Sequence, residues 1–307
     1  MDVPVPQGGG LASQLTLQGI SRQTACFRRR KSPFIRLFRE KRPGVLCPSF
    51  WLLAWANGCP YHCAYCFLQG TFKGKTDPVI YTNLRKLLWE LKRWLKASLK
   101  PRMLNTGELS DSLAITDELA KTLIPIFGRQ SLHKLLLLTK SNMVEGILDL
   151  PHNGQTVVSF SLNAEEVAKL YEPDAPPPRE RLRAAWKCLE AGYPVRIRID
   201  PLIPVEGWED VYAELAEQVA QLNPERVTLG SLRVFPAVKA FSRRNPSVFK
   251  YATERTLDGR YRPPEKIRIK MYRFMVSRLK GLEIGLCKET PTVHAVLRLP
   301  LKCNCTP

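Results

Sequence analysis

The sequence predicts an α/β fold: a partial (β/α)6 barrel of the TIM type, preceded by a basic N-terminal arm and followed by a C-terminal extension. Three observations lead there. From about residue 50, short apolar runs alternate with amphipathic helical stretches. The connections are short, so each helix returns the chain to a parallel neighbouring strand. Roughly six such units can be counted, short of the eight that close a full barrel. A length of 307 residues allows one large barrel or two ordinary domains.

The elements follow in order. Residues 1–45 read as an extended or poorly ordered arm: Gly8-Gly9-Gly10, a basic block, then Pro43-Gly44. Residues 50–56 form a buried strand closed by Asn57-Gly58. Leu87, Leu88, Leu91 and Leu95 give residues 84–96 a helical spacing. A short strand is expected over 102–105, and Thr116-Asp117-Glu118 opens a helix through 126. Residues 134–138 are a strongly apolar strand, with a helix expected over 144–148 and a strand over 156–162. The stretch Pro173 to Pro178 turns the chain into a helix over 179–191, capped by Gly192. Strand 195–200, helix 208–222 and strand 226–229 complete a barrel domain taken as residues 46–235. The extension, residues 236–307, carries a helix over 265–280, an apolar strand and a cysteine-bearing tail expected to cover a sheet edge. No internal repeat is present.

Composition narrows the classes. No apolar run reaches the length that spans a membrane, and residues 1–20 lack the basic and apolar regions of a signal peptide. A cytoplasmic compartment is therefore expected. The nine cysteines are an odd number, which argues against a paired disulfide framework and for metal or catalysis. Formal charge is +19 and clustered. Arg28, Arg29, Arg30 and Lys31 head one block that runs to Arg42; a second runs from Arg233 to Arg273. Such fields favour polyanions, nucleic acid above all, over a merely solvated basic surface.

The chemistry concentrates in Cys59-Pro60-Tyr61-His62-Cys63-Ala64-Tyr65-Cys66, directly after the first barrel strand. In a parallel barrel the loops after strands form the catalytic face. Three thiolates so close hold a corner of an iron–sulfur cube and leave the fourth iron open to a ligand. Two other readings compete: a zinc site recruiting His62, and buried free thiols. Arg196, Arg198 and Asp200 alternate with Val195, Ile197 and Ile199, so three charged groups share one face of a buried strand. Buried charge needs a partner or a ligand. Arg198 and Asp200, nearest the strand's C-terminal end, are expected to line the site; an internal Arg–Asp pair is the alternative.

At these residues the sequence resembles the radical S-adenosylmethionine superfamily, and within it the spore photoproduct lyase family. The likeness covers roughly residues 51–215 and rests on an ordered set of motifs. These are residues 59–70 (CPYHCAYCFLQG), Leu109-Ser110-Asp111, Thr139-Lys140, His152-Asn153-Gly154, Ser159 to Asn163, Ala191 to Pro194, and Pro201 through Glu209. The resemblance implies a partial barrel holding a [4Fe–4S] cluster on Cys59, Cys63 and Cys66. The open iron would chelate S-adenosylmethionine, and one electron, from a flavodoxin- or ferredoxin-type donor, would release a 5′-deoxyadenosyl radical. By the same resemblance Tyr65 and Phe67 flank the adenine, Glu108 binds the cofactor's ammonium, and Ser110 and Asp111 lie near cofactor and substrate. Lys140 ends an apolar strand and is expected at the catalytic face; Ser161 and Asn163 match a cofactor-contacting segment.

The departures matter as much. The family has a hydrogen-donating cysteine where this chain has Glu108, and smaller or apolar residues where it has Arg196, Arg198 and Asp200. Cys287, Cys303 and Cys305 lie outside the family pattern and are candidates for a second metal site or a replacement hydrogen donor; Cys47 is a candidate fourth ligand. The expected function is radical chemistry on nucleic acid, by lesion repair or base modification. Radical chemistry on a peptide or small molecule and a non-catalytic, metal-containing nucleic-acid-binding protein are the alternatives.

Overall fold

The computed structural model describes residues 25–307. Strands β1 (Cys26–Arg28), β2 (Ile35–Phe38), β3 (Phe50–Leu53) and β4 (Ala56–Asn57) open it, followed by α1 (Phe67–Thr71), β5 (Val79–Tyr81) and α2 (Leu84–Lys96). Next come β6 (Met103–Asn105), α3 (Glu118–Gly128), β7 (Lys134–Thr139), β8 (Thr156–Leu162), α4 (Glu165–Tyr171) and α5 (Pro178–Glu190). Strand β9 (Val195–Leu202), α6 (Trp208–Leu222), β10 (Arg226–Ser231) and α7 (Pro236–Phe241) lead to the small hairpin β11 (Glu254–Arg255) and β12 (Tyr261–Arg262). Helix α8 (Glu265–Arg278), β13 (Ile284–Leu286) and α9 (Pro291–Leu297) close the series.

Eight strands form one curled sheet, a half-barrel in the order β13-β10-β9-β8-β7-β6-β3-β2. Only β2 runs antiparallel to its neighbour; the rest are parallel, as the short crossovers require. Every residue of β8 is buried, because helices cover the convex face and other groups fill the concave one. Period-two alternation separates the two layers. Leu53, Leu104, Leu135, Leu137 and Val158 pack outward under the helices, whereas Phe50, Leu52, Met103, Leu136 and Val157 face inward.

Three boundaries differ from expectation. The strand expected over 50–56 splits, because β4 leaves the barrel to pair with β5 in a separate three-stranded sheet. The helix expected over 144–148 is a single 3-10 turn, Glu145–Ile147. It lies so tightly on α3 that a Cβ on Gly146 would fall 1.9 Å from the Asp117 carboxylate. Of the expected arm, residues 1–24 lie outside the described residues, while residues 35–38 are β2 itself, anchored by the fully buried Phe34. Among the described residues no helix is long and apolar enough to cross a membrane.

The extension does more than cover an edge. Strand β13 is the edge strand, paired in parallel with β10, and the segment after α9 enters the concave side of the sheet. Gly285 permits this: a Cβ there would meet the Lys302 carbonyl at 2.0 Å. Asn304 then bridges three strands. Its Nδ2 donates to Ser159 Oγ (2.8 Å) and the Ile197 carbonyl (2.9 Å), and its Oδ1 accepts from Thr228 Oγ1 (2.7 Å). Arg196 donates to the carbonyls of Asn304 (3.1 Å) and Thr306 (2.6 Å), and Arg226 to that of Cys303 (2.9 Å). Polar groups inside a barrel need such partners, and this segment supplies them. Asn304→Leu, which orphans those buried partners, is expected to destabilise the fold by about 2–4 kcal/mol. The midpoint of urea unfolding should fall with an unchanged slope.

Candidate active site

The three-cysteine loop, residues 58–66, starts where β4 ends. Gly58 has φ +81°, and a Cβ there would strike the Thr76 carbonyl at 2.5 Å, so only glycine admits this turn. The loop is tied down by its backbone: Gly58 N–H donates to Leu109 O (2.9 Å), Cys59 N–H to Thr76 O (2.9 Å) and Ala64 N–H to Tyr171 O (2.9 Å). Gln69 Nε2 holds the Cys63 carbonyl at 2.7 Å. The conformation therefore does not depend on the sulfurs, which remain available as ligands. Burial first, then neighbouring acids and one another, push the thiols of Cys59 and Cys63 up; burial does the same to Cys66. Such thiols stay protonated until a metal displaces the proton.

Among the described residues, no trio of His, Cys, Asp and Glu side chains converges on a point that one metal ion could fill. His62 Nδ1 lies 2.9 Å from Thr76 Oγ1. An iron–sulfur cube binds one thiolate per iron, so its sulfurs need not converge. The later cysteines pose a different case. Arg198 reaches Cys287 Sγ at 3.8 Å and Cys305 Sγ at 3.2 Å, so these two sulfurs face a buried guanidinium.

Beside the loop lies a cavity of about 350 Å³ at the C-terminal ends of the strands, where a β/α barrel places its chemistry. Cys66, Tyr65 and Phe67 line one side; Glu108, Ser161, Arg198 and Asp200 line the other, with Arg233, Cys287 and Lys288. Each acid here has a basic partner. Asp200 meets Arg233 at 2.8 Å, Glu40 meets Arg260 at 2.7 Å, and Glu108 meets Lys288 at 3.3 Å. Burial raises the Asp200 carboxyl, but Arg233 and then Arg198 outweigh it and hold it below its usual range. Burial likewise lowers the Lys288 ammonium, and Glu108, with Cys287 and Cys47 behind it, raises it above its usual range.

Beneath the cavity floor is a buried carboxylate that sequence reasoning missed. Glu172, with a side chain 0 % exposed, pairs with Arg181 (2.6 Å) and Lys140 (3.0 Å) and accepts from the Tyr65 hydroxyl. Burial alone would raise its pKa; Arg181, then Lys140 and Tyr65, reverse that and bring it to about 2. Lys140 also donates to Ser161 Oγ at 3.2 Å. A signal was present: Arg181 occupies the buried face of α5 with Ala184, Ala185 and Cys188, and a charge on an apolar stripe demands a buried partner.

The remaining candidates lie off the cavity wall. Asp111 has both oxygens engaged, by Leu113 N–H (2.9 Å), Ala114 N–H (3.0 Å), Thr139 Oγ1 (2.6 Å) and Lys140 N–H (2.6 Å). Asn163 follows the last residue of β8, so the alternation with Ser161 ends before it; it binds Pro201 O (3.0 Å) and Tyr212 (2.9 Å). Neither lines the cavity, nor does Lys140. Ser110 is buried, and its hydroxyl lacks a partner among the described residues. Cys47 is half-buried, its thiol 3.5 Å from the Pro48 carbonyl, and it is absent from the cavity wall.

Residues 47–233 match the family model described as spore photoproduct lyase. The spore photoproduct lyase of Bacillus subtilis (strain 168) is 34% identical over 180 residues, 58% of this chain and 53% of that protein. The chain spans about half the length of the curated lyases it matches. Among solved structures, a spore photoproduct lyase complexed with dinucleoside spore photoproduct superposes with a TM-score of 0.71 at 24% identity, covering 86% of this chain and 82% of that one. A double mutant with bound AdoMet and the same dinucleoside gives 0.69 at 23%, covering 85% and 81%. At that identity the structures establish a shared fold: the partial barrel expected from the alternating elements.

The Glu172 network yields a stability test. A carboxyl lowered from 4.5 to about 2 contributes stability that is complete above pH 4.5 and is lost as pH falls towards 2. Glu172→Gln leaves the buried Arg181 and the half-buried Lys140 with a neutral partner and should cost about 3–5 kcal/mol at pH 7. The gap between variant and wild type, followed by urea unfolding, should shrink between pH 4.5 and about 2.

Proposed function

Because the chain belongs to the spore photoproduct lyase family, we propose that it is an enzyme that binds S-adenosylmethionine beside a [4Fe–4S] cluster and acts on nucleic acid. The observation that carries this reading is the one cavity shared by Cys66, Glu108, Ser161, Arg198 and Asp200. When bound, the cluster supplies the electron that cleaves the cofactor to a 5′-deoxyadenosyl radical; a flavodoxin- or ferredoxin-class protein delivers that electron.

The chain's own residues divide the remaining work. Cys59, Cys63 and Cys66 hold three irons. Glu108 receives the cofactor's ammonium: it lines the cavity, and Lys288 stands at 3.3 Å from it, whereas Arg233 and Arg260 hold Asp200 and Glu40 at 2.8 and 2.7 Å. Phe67, 37 % exposed on the first turn of α1, offers its ring to the adenine. Tyr65 is held by Glu172 and keeps its ring fixed against the cluster loop. The orphaned hydroxyl of Ser110 is a ready donor to cofactor or substrate. Nucleic acid as substrate is supported by the charge of +19 and by the substrate named for the related lyase structures.

The family's hydrogen-donating thiol has no counterpart at Glu108. Cys287 replaces it in this reading. Besides Cys66 it is the thiol that lines the cavity, 3.8 Å from Arg198 Nη1 and 3.7 Å from Arg233 Nη2. Its S–H would supply the hydrogen atom that quenches the product radical, leaving a thiyl on Cys287 that would be reduced back by hydrogen transfer before the next turnover.

Anaerobic reconstitution should load about four irons per chain, with 5′-deoxyadenosine formed only when reductant is present. Cys66→Ser should lose iron and that product while keeping its far-UV circular dichroism. A wild-type protein that takes up only zinc, or never consumes the cofactor, would overturn the proposal. In deuterated water the wild type should place one exchangeable deuterium in its product; Cys287→Ser should consume cofactor without that label. Label retained in the variant would assign the hydrogen to another donor.

A further inference from the structure

The two basic blocks meet different fates in the fold. Much of the second is internal. Arg233 pairs with Asp200, Arg260 with Glu40 and Asp258, Arg262 with Asp258, and Arg268 with Glu289. The first block instead joins a basic helix on the surface. Lys86 of α2 donates to the carbonyls of Arg30 (3.3 Å), Lys31 (2.6 Å) and Ser32 (2.8 Å), and Asn83 exchanges two hydrogen bonds with Arg30. Arg28, Arg29 and Lys31 are thereby fixed, exposed, beside the start of α2.

Helix α2 buries Leu84, Leu87, Leu91 and Trp94 and turns Arg85, Trp89, Lys92, Arg93 and Lys96 to solvent. The acid of this helix is engaged elsewhere: Glu90 Oε2 accepts from the N–H groups of Phe34 (2.7 Å) and Ile35 (3.1 Å). Lys86–Glu90, at 3.7 Å, is the helix's one ion pair among the described residues. The exposed cations are thus uncompensated. At their centre Trp89 is 57 % exposed, with the Arg93 guanidinium stacked 4.6 Å from its ring. A groove of about 410 Å³ runs beside it, between Lys31 and Trp51. None of these residues lines the candidate active-site cavity.

We infer that this face, α2 with the 28–31 loop, is a docking surface for the sugar–phosphate backbone of DNA. The inference rests on the nucleic-acid reading above and adds to it a second contact, apart from the reacting centre. Arg85 to Lys96 covers about 16 Å of helix, close to five phosphate steps of one strand. Paired cations contribute little to such a contact, because they release no counterion; free ones set its salt dependence. An exposed tryptophan among arginines adds an apolar face for sugar or base.

The test uses the full chain and a fluorescent 20-base-pair DNA duplex, with affinity measured by anisotropy across salt concentrations. The variant Arg85→Gln/Lys92→Gln/Arg93→Gln/Lys96→Gln should weaken binding about ten- to hundredfold at 0.1 M salt and lower the log–log slope by about 2–4. A charge-matched control, Lys250→Gln/Lys266→Gln/Arg273→Gln/Lys280→Gln, removes as many exposed cations elsewhere and should change the slope by less than one. Reductant-dependent 5′-deoxyadenosine formation without DNA should be equal in all three proteins. An unchanged slope in the α2 variant, or an equal loss in the control, overturns the docking surface and leaves the nucleic-acid reading standing. A wild type that forms 5′-deoxyadenosine yet binds no duplex at low salt defeats that reading itself. Tighter binding of an RNA duplex, equally weakened by the α2 substitutions, overturns the choice of DNA.

Discussion

The candidate site depends on a carboxylate that no solvent reaches. Glu172 has left water entirely, a transfer that costs several kcal/mol unless opposite charge and hydrogen bonds meet it. Here Arg181 comes from α5, Lys140 from the end of β7 and the Tyr65 hydroxyl from the cluster loop. Three elements distant in sequence are thereby drawn to one point. Lys140 extends the tie to Ser161 on β8, and Asp111 holds the backbone N–H of Lys140 from the neighbouring loop. Removing Glu172 takes the shared partner from all three at once, so the arrangement holds the cavity floor as a unit.

A second constraint is set by the concave face of the half-barrel. Charged residues on β9 would be untenable in an apolar interior. They find partners in layers along the strand: Arg196 in Glu225 and the segment around Asn304, Arg198 in Cys287 and Cys305, Asp200 in Arg233. Residues 303–306 thus fill the lower barrel, while the upper layer opens on the cavity. The cysteines of that segment serve as neighbours of a buried guanidinium. Alternation along the strand predicts a shared face for Arg196, Arg198 and Asp200; it does not say which of them meets a ligand and which meets the chain's own end segment.

Charge follows the same logic. A count of basic residues treats Arg262 and Lys92 alike only if their surroundings are ignored; Arg262 is fully buried against Asp258, whereas Lys92 is open to solvent. Burial and pairing convert much of the 233–273 block into internal structure. What remains free for a polyanion is concentrated by tertiary contact, above all where Lys86 clamps the 30–32 carbonyls to α2.

Local pattern was enough to establish the parallel half-barrel, the strand after which the cysteines fall, and the three-thiol spacing, because periodicity and loop chemistry belong to short stretches of chain. Alternation along β9 marked Arg198 and Asp200, and the family resemblance marked Glu108 and Ser161; the four meet around one cavity. Only the folded arrangement assigns Asp111 and Asn163 to backbone groups, places Glu172 as the anchor of the floor, and makes residues 35–38 and 284–286 strands of the barrel. Each of those outcomes is settled by which partner a polar group or strand edge finds across the fold. Such partners lie tens to hundreds of residues away, beyond the reach of any local pattern.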